Sequence, residues 1–277
     1  MTHVFIAALL GFLVALIVNR LADYLPARRY CELARRNPFS TVQSSLPTPS
    51  LLPHTPLQHW FGVTSLLSGG ISRRAVRYFT VEIVLSLSFA LIAYFYGLSL
   101  PVGFFYVYAA LFTLIAVIDV EHRWVLPSTL IALAICGVLE WLLFGWRHAL
   151  QEMPRGALHG FALGLCLWLL GTGYARLKKA VRGKAIGRTI FGSGDIWLLS
   201  ACGMLIGGEY ILFALLITML SGGIAAIGVV IWSLFKRDKR RRNPLAIPYA
   251  PHILIGTAVW LYAPAAATAV LRSLVLG

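Results

Sequence analysis

The stretch YILFALLITMLSGGIAAIGVVIWSLF, residues 210–235, contains no charged side chain. An α-helix rises 1.5 Å per residue, so this segment would span about 39 Å as a helix, more than the roughly 30 Å of a bilayer's hydrocarbon core. Uninterrupted apolar runs of this length are typical of transmembrane helices. The stretch therefore predicts a helical membrane protein.

The rest of the chain repeats this pattern. Of the 277 residues, 59% are hydrophobic and 12% are charged, whereas a soluble domain carries about 25% charged residues. Seven further apolar runs occupy residues 4–19, 79–97, 101–118, 125–146, 157–174, 190–208 and 247–275. We therefore predict an all-α fold, a polytopic membrane bundle with about eight transmembrane helices.

The positive charge follows the predicted topology. The formal net charge is +14, and 21 of the 24 lysines and arginines fall in the loops after the first, third, fifth and seventh runs. By the positive-inside rule these loops are cytoplasmic and both termini lie outside. The longest basic run, residues 236–242, adjoins a helix end, where anionic lipid accounts for it. We expect the lipid bilayer as a partner and no nucleic acid.

Three segments divide the chain. Residues 1–20 form a first transmembrane helix without a signal-peptide cleavage site after it. Residues 21–78 contain a stretch rich in proline and serine and predict an irregular cytoplasmic loop. Residues 79–277 predict a seven-helix membrane domain.

Four acidic residues lie in or beside the apolar runs: Glu82, Asp119, Glu140 and Asp195. A charge at membrane depth is costly, so each needs a reason. Asp119 ends the third run and Asp195 begins the sixth, which predicts both at the same cytoplasmic boundary. Taken singly, Asp195 suits a helix N-cap and Asp119 suits a helix leaving the bilayer. Taken together, they predict a carboxylate pair.

Two neighbouring carboxylates support general acid-base hydrolysis. They cannot both ionise easily, so one activates a water while the other donates a proton to the scissile carbonyl. No serine lies in a nucleophile-elbow context, and the seven histidines show no zinc spacing. A transporter is the competing class, but it predicts acids near mid-membrane and internal repeats.

Five segments resemble a known family, the type IV prepilin peptidases, which are membrane aspartic proteases of the GxGD type. They are NRLADYLP at 19–26, RYFTVE at 77–82, IDVEHRWVLP at 118–127, GSGDIWLLSACGMLIG at 192–207 and PYAP at 248–251. The resemblance implies an endopeptidase that removes the leader of type IV prepilin or pseudopilin precursors at the cytoplasmic side of the bacterial inner membrane.

The resemblance also implies roles for individual residues. Asp119 and Asp195 are the expected catalytic pair, which needs no cofactor. The expected substrate or active-site loop positions are Gly192, Gly194, Glu121, His122 and Pro127. Glu82 and Asn19 are expected to contact cofactor or substrate, although Glu82 also suits a hydrogen bond within the bundle. Glu140 is expected to be structural.

Several departures from the family pattern stand out. The family carries two C-x-x-C pairs in its first cytoplasmic loop, whereas only Cys31 lies there in this chain, so we expect no zinc or other metal. Trp197 replaces a lysine and Ser128 an acidic residue. Family members also N-methylate the new amino terminus with S-adenosylmethionine. Whether this chain has that activity stays open, because it lacks the cysteine pairs. An inactive homologue acting as an assembly factor is a further alternative.

Overall fold

A computed structural model of the protein describes residues 1–36, 73–145, 151–182, 192–235 and 248–269. Within these ranges no strand is present, and eight α-helices have 13 residues or more. They are α1 (Thr2–Arg36), α2 (Arg73–Tyr96), α3 (Leu100–His122), α4 (Pro127–Phe144), α5 (Glu152–Arg182), α6 (Ser193–Ile206), α7 (Ile211–Phe235) and α8 (Ala250–Tyr262). The predicted all-α class is confirmed.

Six of these helices are long and apolar enough to cross a membrane: α1, α2, α3, α4, α5 and α7. Helices α6 and α8 have 14 and 13 residues, so they span only about 21 Å and 20 Å. The protein is a multi-pass membrane protein. Of the about eight transmembrane helices predicted, the described part of the chain has six that are long enough to cross a membrane and two shorter apolar helices.

The segment expected to be irregular, residues 21–78, is helical at both ends. Helix α1 continues to Arg36 and α2 begins at Arg73, while residues 37–72 lie outside the described residues. Pro26 lies inside α1, where its ring removes one backbone donor without ending the helix. Arg28 and Glu32 form an i,i+4 ion pair in this extension. Helix-forming residues in the polar part of α1 thus outweigh the proline.

The four cysteines all lie in helices. Cys31 belongs to α1, not to a loop as expected, and it is half-buried. Cys136, Cys166 and Cys202 lie in the apolar helices α4, α5 and α6. Within the described ranges, no group of three or more His, Cys, Asp or Glu side chains lies close enough to hold a metal ion.

The chain divides into two compact units, Met1–His122 and Arg123–Gly277. The expected division of the chain after residues 20 and 78 stays a prediction. In the first unit α1 packs on α2, where Gly11 lies against the backbone of Leu85. In the second unit α4, α5 and α8 pack around α6, whose residues Leu198 and Cys202 are fully buried.

Candidate functional site

Asp195 lies in the first turn of α6, in the second unit. The helix begins at Ser193 with Gly192 as its N-cap, so Asp195 is the third helical residue and not the N-cap. Its Oδ2 accepts a hydrogen bond from the Gly192 backbone N–H at 3.0 Å. Only 8% of Asp195 is exposed. A carboxylate at this position satisfies an orphan amide and faces the positive end of the helix dipole.

The two glycines before Asp195 make close approaches. A Cβ on Gly194 would lie 2.9 Å from the Cβ of Val125, closer than real Cβ contacts. A Cβ on Gly192 would lie 3.2 Å from Oδ2 of Asp195. Gly194 therefore packs against the segment that precedes α4, and Gly192 leaves room for the aspartate to fold back. Their expected role toward substrate stays a prediction.

A row of glycines on α5 fixes the position of α6. Gly156, Gly160 and Gly164 are spaced by four residues and therefore share one helix face. A Cβ on Gly160 would overlap the carbonyl oxygen of Leu199, and a Cβ on Gly164 would lie 2.9 Å from the Cα of Ile196. Small residues let helix backbones approach this closely in membranes. The start of α6 is therefore held directly against the backbone of α5.

The same contacts give the level of Asp195 along α5. Because Gly160 faces Leu199 and Gly164 faces Ile196, the two helices are antiparallel and Asp195 is level with about Leu165 of α5. The first cation beyond Leu165 in α5 is Arg176, roughly 16 Å farther along the helix axis at 1.5 Å per residue. Asp195 thus lies beside an apolar part of α5, and its expected position at the cytoplasmic boundary stays a prediction.

Tyr249 is a neighbour of Asp195 that the sequence reasoning did not select as a site residue. It precedes α8 in PYAP and is half-buried. Burial, followed by the negative charge of Asp195, raises the pKa of Tyr249 above its usual value, because both disfavour the phenolate. The proline-flanked aromatic residue was the available sequence signal.

Asp119 lies near the end of α3 in the first unit and is 5% exposed. Glu121 and His122 occupy the last turn of the same helix, so they are helical and not in a loop. The His122 ring meets the Tyr30 ring of α1 edge-on, with centroids 6.3 Å apart.

Arg77 of α2 joins the last turn of α3 to α1. Its Nη1 donates to Oε2 of Glu121 at 2.6 Å and its Nη2 donates to Oδ1 of Asp23 at 2.9 Å. The other oxygen of Asp23 accepts a 2.6 Å hydrogen bond from the Tyr78 hydroxyl. We call Asp23, Arg77, Tyr78 and Glu121 the arginine cluster. Asp23 was missed because the first helix was predicted to end at residue 20.

The remaining predicted polar positions are buried in one or the other unit. In the first, Glu82 is 3% exposed, and the Nδ2 of buried Asn19 donates to the Tyr78 carbonyl at 3.4 Å. The Oδ1 of Asn19 has no hydrogen-bond partner among the described residues. In the second, Glu140 is buried in α4, and Pro127 is the first residue of that helix. Pro127 therefore starts a helix, where its missing N–H costs nothing.

Trp197 projects away from Asp195. It is 59% exposed and its ring lies 5.4 Å from that of Phe161 on α5, whereas Asp195 is buried. The tryptophan therefore does not fill the space around the carboxylate.

Asp119 belongs to the first unit and Asp195 to the second. Their pairing stays a prediction, as do the roles assigned to the other site residues. Each carboxylate separately has the burial that a catalytic pair requires.

Comparison with known proteins supports the family resemblance. Residues 106–227 match the type IV leader peptidase family, and this region contains both Asp119 and Asp195. A prepilin leader peptidase/N-methyltransferase of Stutzerimonas stutzeri is 25% identical over 92% of this chain and 89% of its own length. One of Aeromonas salmonicida is 28% identical over 74% of this chain and 64% of its own length. No solved structure matches the chain significantly.

Proposed function

We propose that this chain is a membrane aspartic endopeptidase that removes the leader of prepilin-like or pseudopilin-like precursors, because residues 106–227 match the type IV leader peptidase family. One observation carries the proposal: the matched region contains two buried aspartates, Asp119 in the last turn of α3 and Asp195 in the first turn of α6. The chain would act in the bacterial inner membrane, with cleavage on the cytoplasmic side and both termini outside.

The proposed reaction uses Asp119 and Asp195 as a pair that shares one proton. The ionised carboxylate takes a proton from a water, whose oxygen attacks the scissile carbonyl carbon. The protonated carboxyl donates its proton to the carbonyl oxygen, and collapse of the tetrahedral intermediate breaks the C–N bond as the leaving amine gains a proton. No metal and no side-chain nucleophile enters this scheme.

The substrate's apolar helix would remain in the bilayer while its leader junction reaches the aspartates. The family resemblance assigns Gly192, Gly194, Glu121, His122 and Pro127 to the region that receives this junction. The two glycines would let backbone approach the substrate strand, while the sides on which a Cβ would lie face Val125 and Asp195.

The test is to replace Asp119 and Asp195 singly by Asn and to follow leader removal from a co-expressed prepilin. Each variant should lose at least about 100-fold in cleavage rate, because proton transfer in the transition state is lost. Glu140→Gln is the matched control, since it also neutralises a buried acid but lies outside the proposed pair. Rates are normalised to folded protein measured by size-exclusion chromatography.

The outcome separates the alternatives. Cleavage that survives in either Asn variant rejects the carboxylate pair. An inactive assembly factor predicts no cleavage by the unmodified protein, and a transporter predicts ion movement in proteoliposomes. The family match favours the peptidase over the transporter.

The names of the relatives add a second activity, N-methylation of the new amino terminus. When bound, S-adenosylmethionine would supply an electrophilic methyl group. Buried Glu82 and the Oδ1 of Asn19, which lacks a hydrogen-bond partner in the described part of the chain, are chemically suited to the ammonium and sulfonium cations of that cofactor. Glu82→Gln and Asn19→Ala should therefore weaken binding of radiolabelled S-adenosylmethionine without abolishing leader removal. Unchanged binding in both variants would contradict this assignment.

A further inference from the structure

One arginine side chain connects the three described helices of the first unit. Arg77 extends from α2 and binds Asp23 of α1 with one terminal nitrogen and Glu121 of α3 with the other, at 2.9 Å and 2.6 Å. Its side chain is 8% exposed, whereas those of the two carboxylates are 32% and 30% exposed. The guanidinium is therefore the buried centre of the arginine cluster.

The surroundings hold the guanidinium in one orientation. The Tyr78 ring lies beneath it, with 4.6 Å between the guanidinium carbon and the ring centroid. Tyr78 also donates its hydroxyl proton to Asp23, so this acid accepts hydrogen bonds from two adjacent residues of α2. A planar fork with two terminal nitrogens suits two separate carboxylates, and an ammonium on a flexible stem does not reproduce it.

The contact to Glu121 fixes the part of α3 that carries Asp119. Asp119 precedes Glu121 by two residues, so the two Cα atoms are about 3 Å apart along the helix axis. The ion pair thus anchors α3 next to the aspartate and on the same rigid helix. Separating Glu121 from Arg77 would leave the buried guanidinium with one carboxylate instead of two, so this contact resists rearrangement.

We propose that Arg77 is a positioning residue for the reaction, which holds the Asp119 end of α3 against α1 and α2 through Glu121 and Asp23. This inference rests on the proposed peptidase function. It assigns no contact between Arg77 and the substrate.

The first test compares kcat and KM for leader cleavage in Arg77→Gln and Arg77→Lys. Misplacement of a catalytic group by about 1 Å costs about 100-fold in rate, so kcat should fall by about that factor in Arg77→Gln while KM changes by less than about threefold. Arg77→Lys keeps the charge but loses the fork, so its kcat should lie between those of the unmodified protein and Arg77→Gln. Arg28→Gln is the control, because it breaks an exposed arginine–glutamate pair in the same unit.

A double-variant cycle identifies the partner. Glu121→Gln should reduce kcat to a similar extent, and the Arg77→Gln/Glu121→Gln double variant should lose little more than either single variant. If the two substitutions acted independently, their fold-reductions in kcat would instead multiply in the double variant. A role confined to stability would lower the yield of folded protein and leave kcat per folded molecule unchanged.

A third measurement does not depend on activity. Tyr30 and His122 face each other across α1 and α3, so cysteines at both positions in a Cys31→Ser background should form a disulfide under mild oxidation. Mass spectrometry identifies the bond. Adding Arg77→Gln should slow its formation at least several-fold, and adding Arg28→Gln should not.

The measurements separate failure of the inference from failure of the proposed function. If the unmodified protein cleaves a prepilin and Arg77→Gln retains its kcat, the positioning role is overturned. If no prepilin is cleaved, the proposed function fails, and the disulfide rate decides alone whether Arg77 anchors α3. Equal disulfide rates with and without Arg77 would overturn the anchor as well.

Discussion

The contact between α5 and α6 yields the sharpest stability prediction, because it is made between two backbones. A Cβ introduced by Gly160→Ala would overlap the carbonyl oxygen of Leu199 and lie 3.0 Å from the Cα of Ser200. No rotamer change can relieve an overlap between backbone atoms and a Cβ. The two helices must separate, and α6 must move.

The magnitude follows from two opposing terms. Overpacking costs about 1–3 kcal/mol, and because Gly160→Ala overlaps backbone atoms we expect its overpacking cost to be about 3 kcal/mol. Replacing glycine by alanine in a helix interior recovers about 1 kcal/mol. The net expectation is a free energy of unfolding lower by about 2 kcal/mol.

Gly173 provides a matched control in the same helix. A Cβ there would meet no atom of the described residues within 4 Å. Gly173→Ala should therefore keep only the helix-propensity gain and raise the free energy of unfolding by about 1 kcal/mol. The two variants, which add the same methyl group to α5, should differ by about 3 kcal/mol.

The assay is reversible unfolding of the purified protein in mixed micelles by increasing SDS, followed by circular dichroism. Leader cleavage gives a second readout, because α6 carries Asp195 and its displacement should lower the rate in Gly160→Ala. Equal stability of the two alanine variants would refute the close packing of α5 on α6, and with it the level assigned to Asp195 along α5.

Three further predictions concern the surroundings of Asp195. Gly194→Ala should destabilise the protein by about 1–3 kcal/mol in the same SDS assay. Adding Val125→Ala should recover part of that loss, because it removes the outer atoms of the valine side chain, although the nearest atom, the Cβ of residue 125, remains. Trp197→Leu should lower the free energy of unfolding by about 0.5–1.5 kcal/mol, because the ring contact with Phe161 is lost, and should leave the cleavage rate unchanged. A large loss of rate would place the tryptophan in the site. Since the pKa of Tyr249 is raised in the folded protein, the unfolded chain loses this proton first, and stability should fall as the pH rises above about 10. The pKa can be followed as the difference in phenolate absorbance between the protein with Tyr249 and its Tyr249→Phe variant, and it should be lower when Asp195 is replaced by Asn. An unchanged pKa would contradict the electrostatic coupling.

Hydropathy predicted the helices well because each apolar run must bury its own backbone polar groups in lipid. It failed where helices leave the bilayer. After residue 20 the chain turns polar, and charge was taken as the end of α1, although Ala, Leu, Arg and Glu are good helix formers in water. Correct extension of α1 would have placed Asp23 one turn after Asn19, on the same face, and thus would have indicated its place in the arginine cluster.

The level at which Asp195 lies along α5 could not be predicted from the sequence. The position of the first charge in α6 indicated a boundary, since charges usually mark where a helix meets water. The actual level is set by which glycine of α5 meets which residue of α6, and that pairing is a property of the folded unit. Likewise, Tyr249 is separated from Asp195 along the chain, so only packing of α8 on α6 brings it close.

At the level of Asp195, α5 still turns Leu165, Leu169 and Leu170 toward the outside of the protein. Hydrolysis consumes a water molecule for every bond cut, and hydrocarbon holds almost none. The proposed hydrolysis therefore requires that water reach Asp195, which is almost fully buried. Selectivity then begins with access: we expect a peptide whose leader junction cannot reach this buried carboxylate to escape cleavage, whatever its side chains.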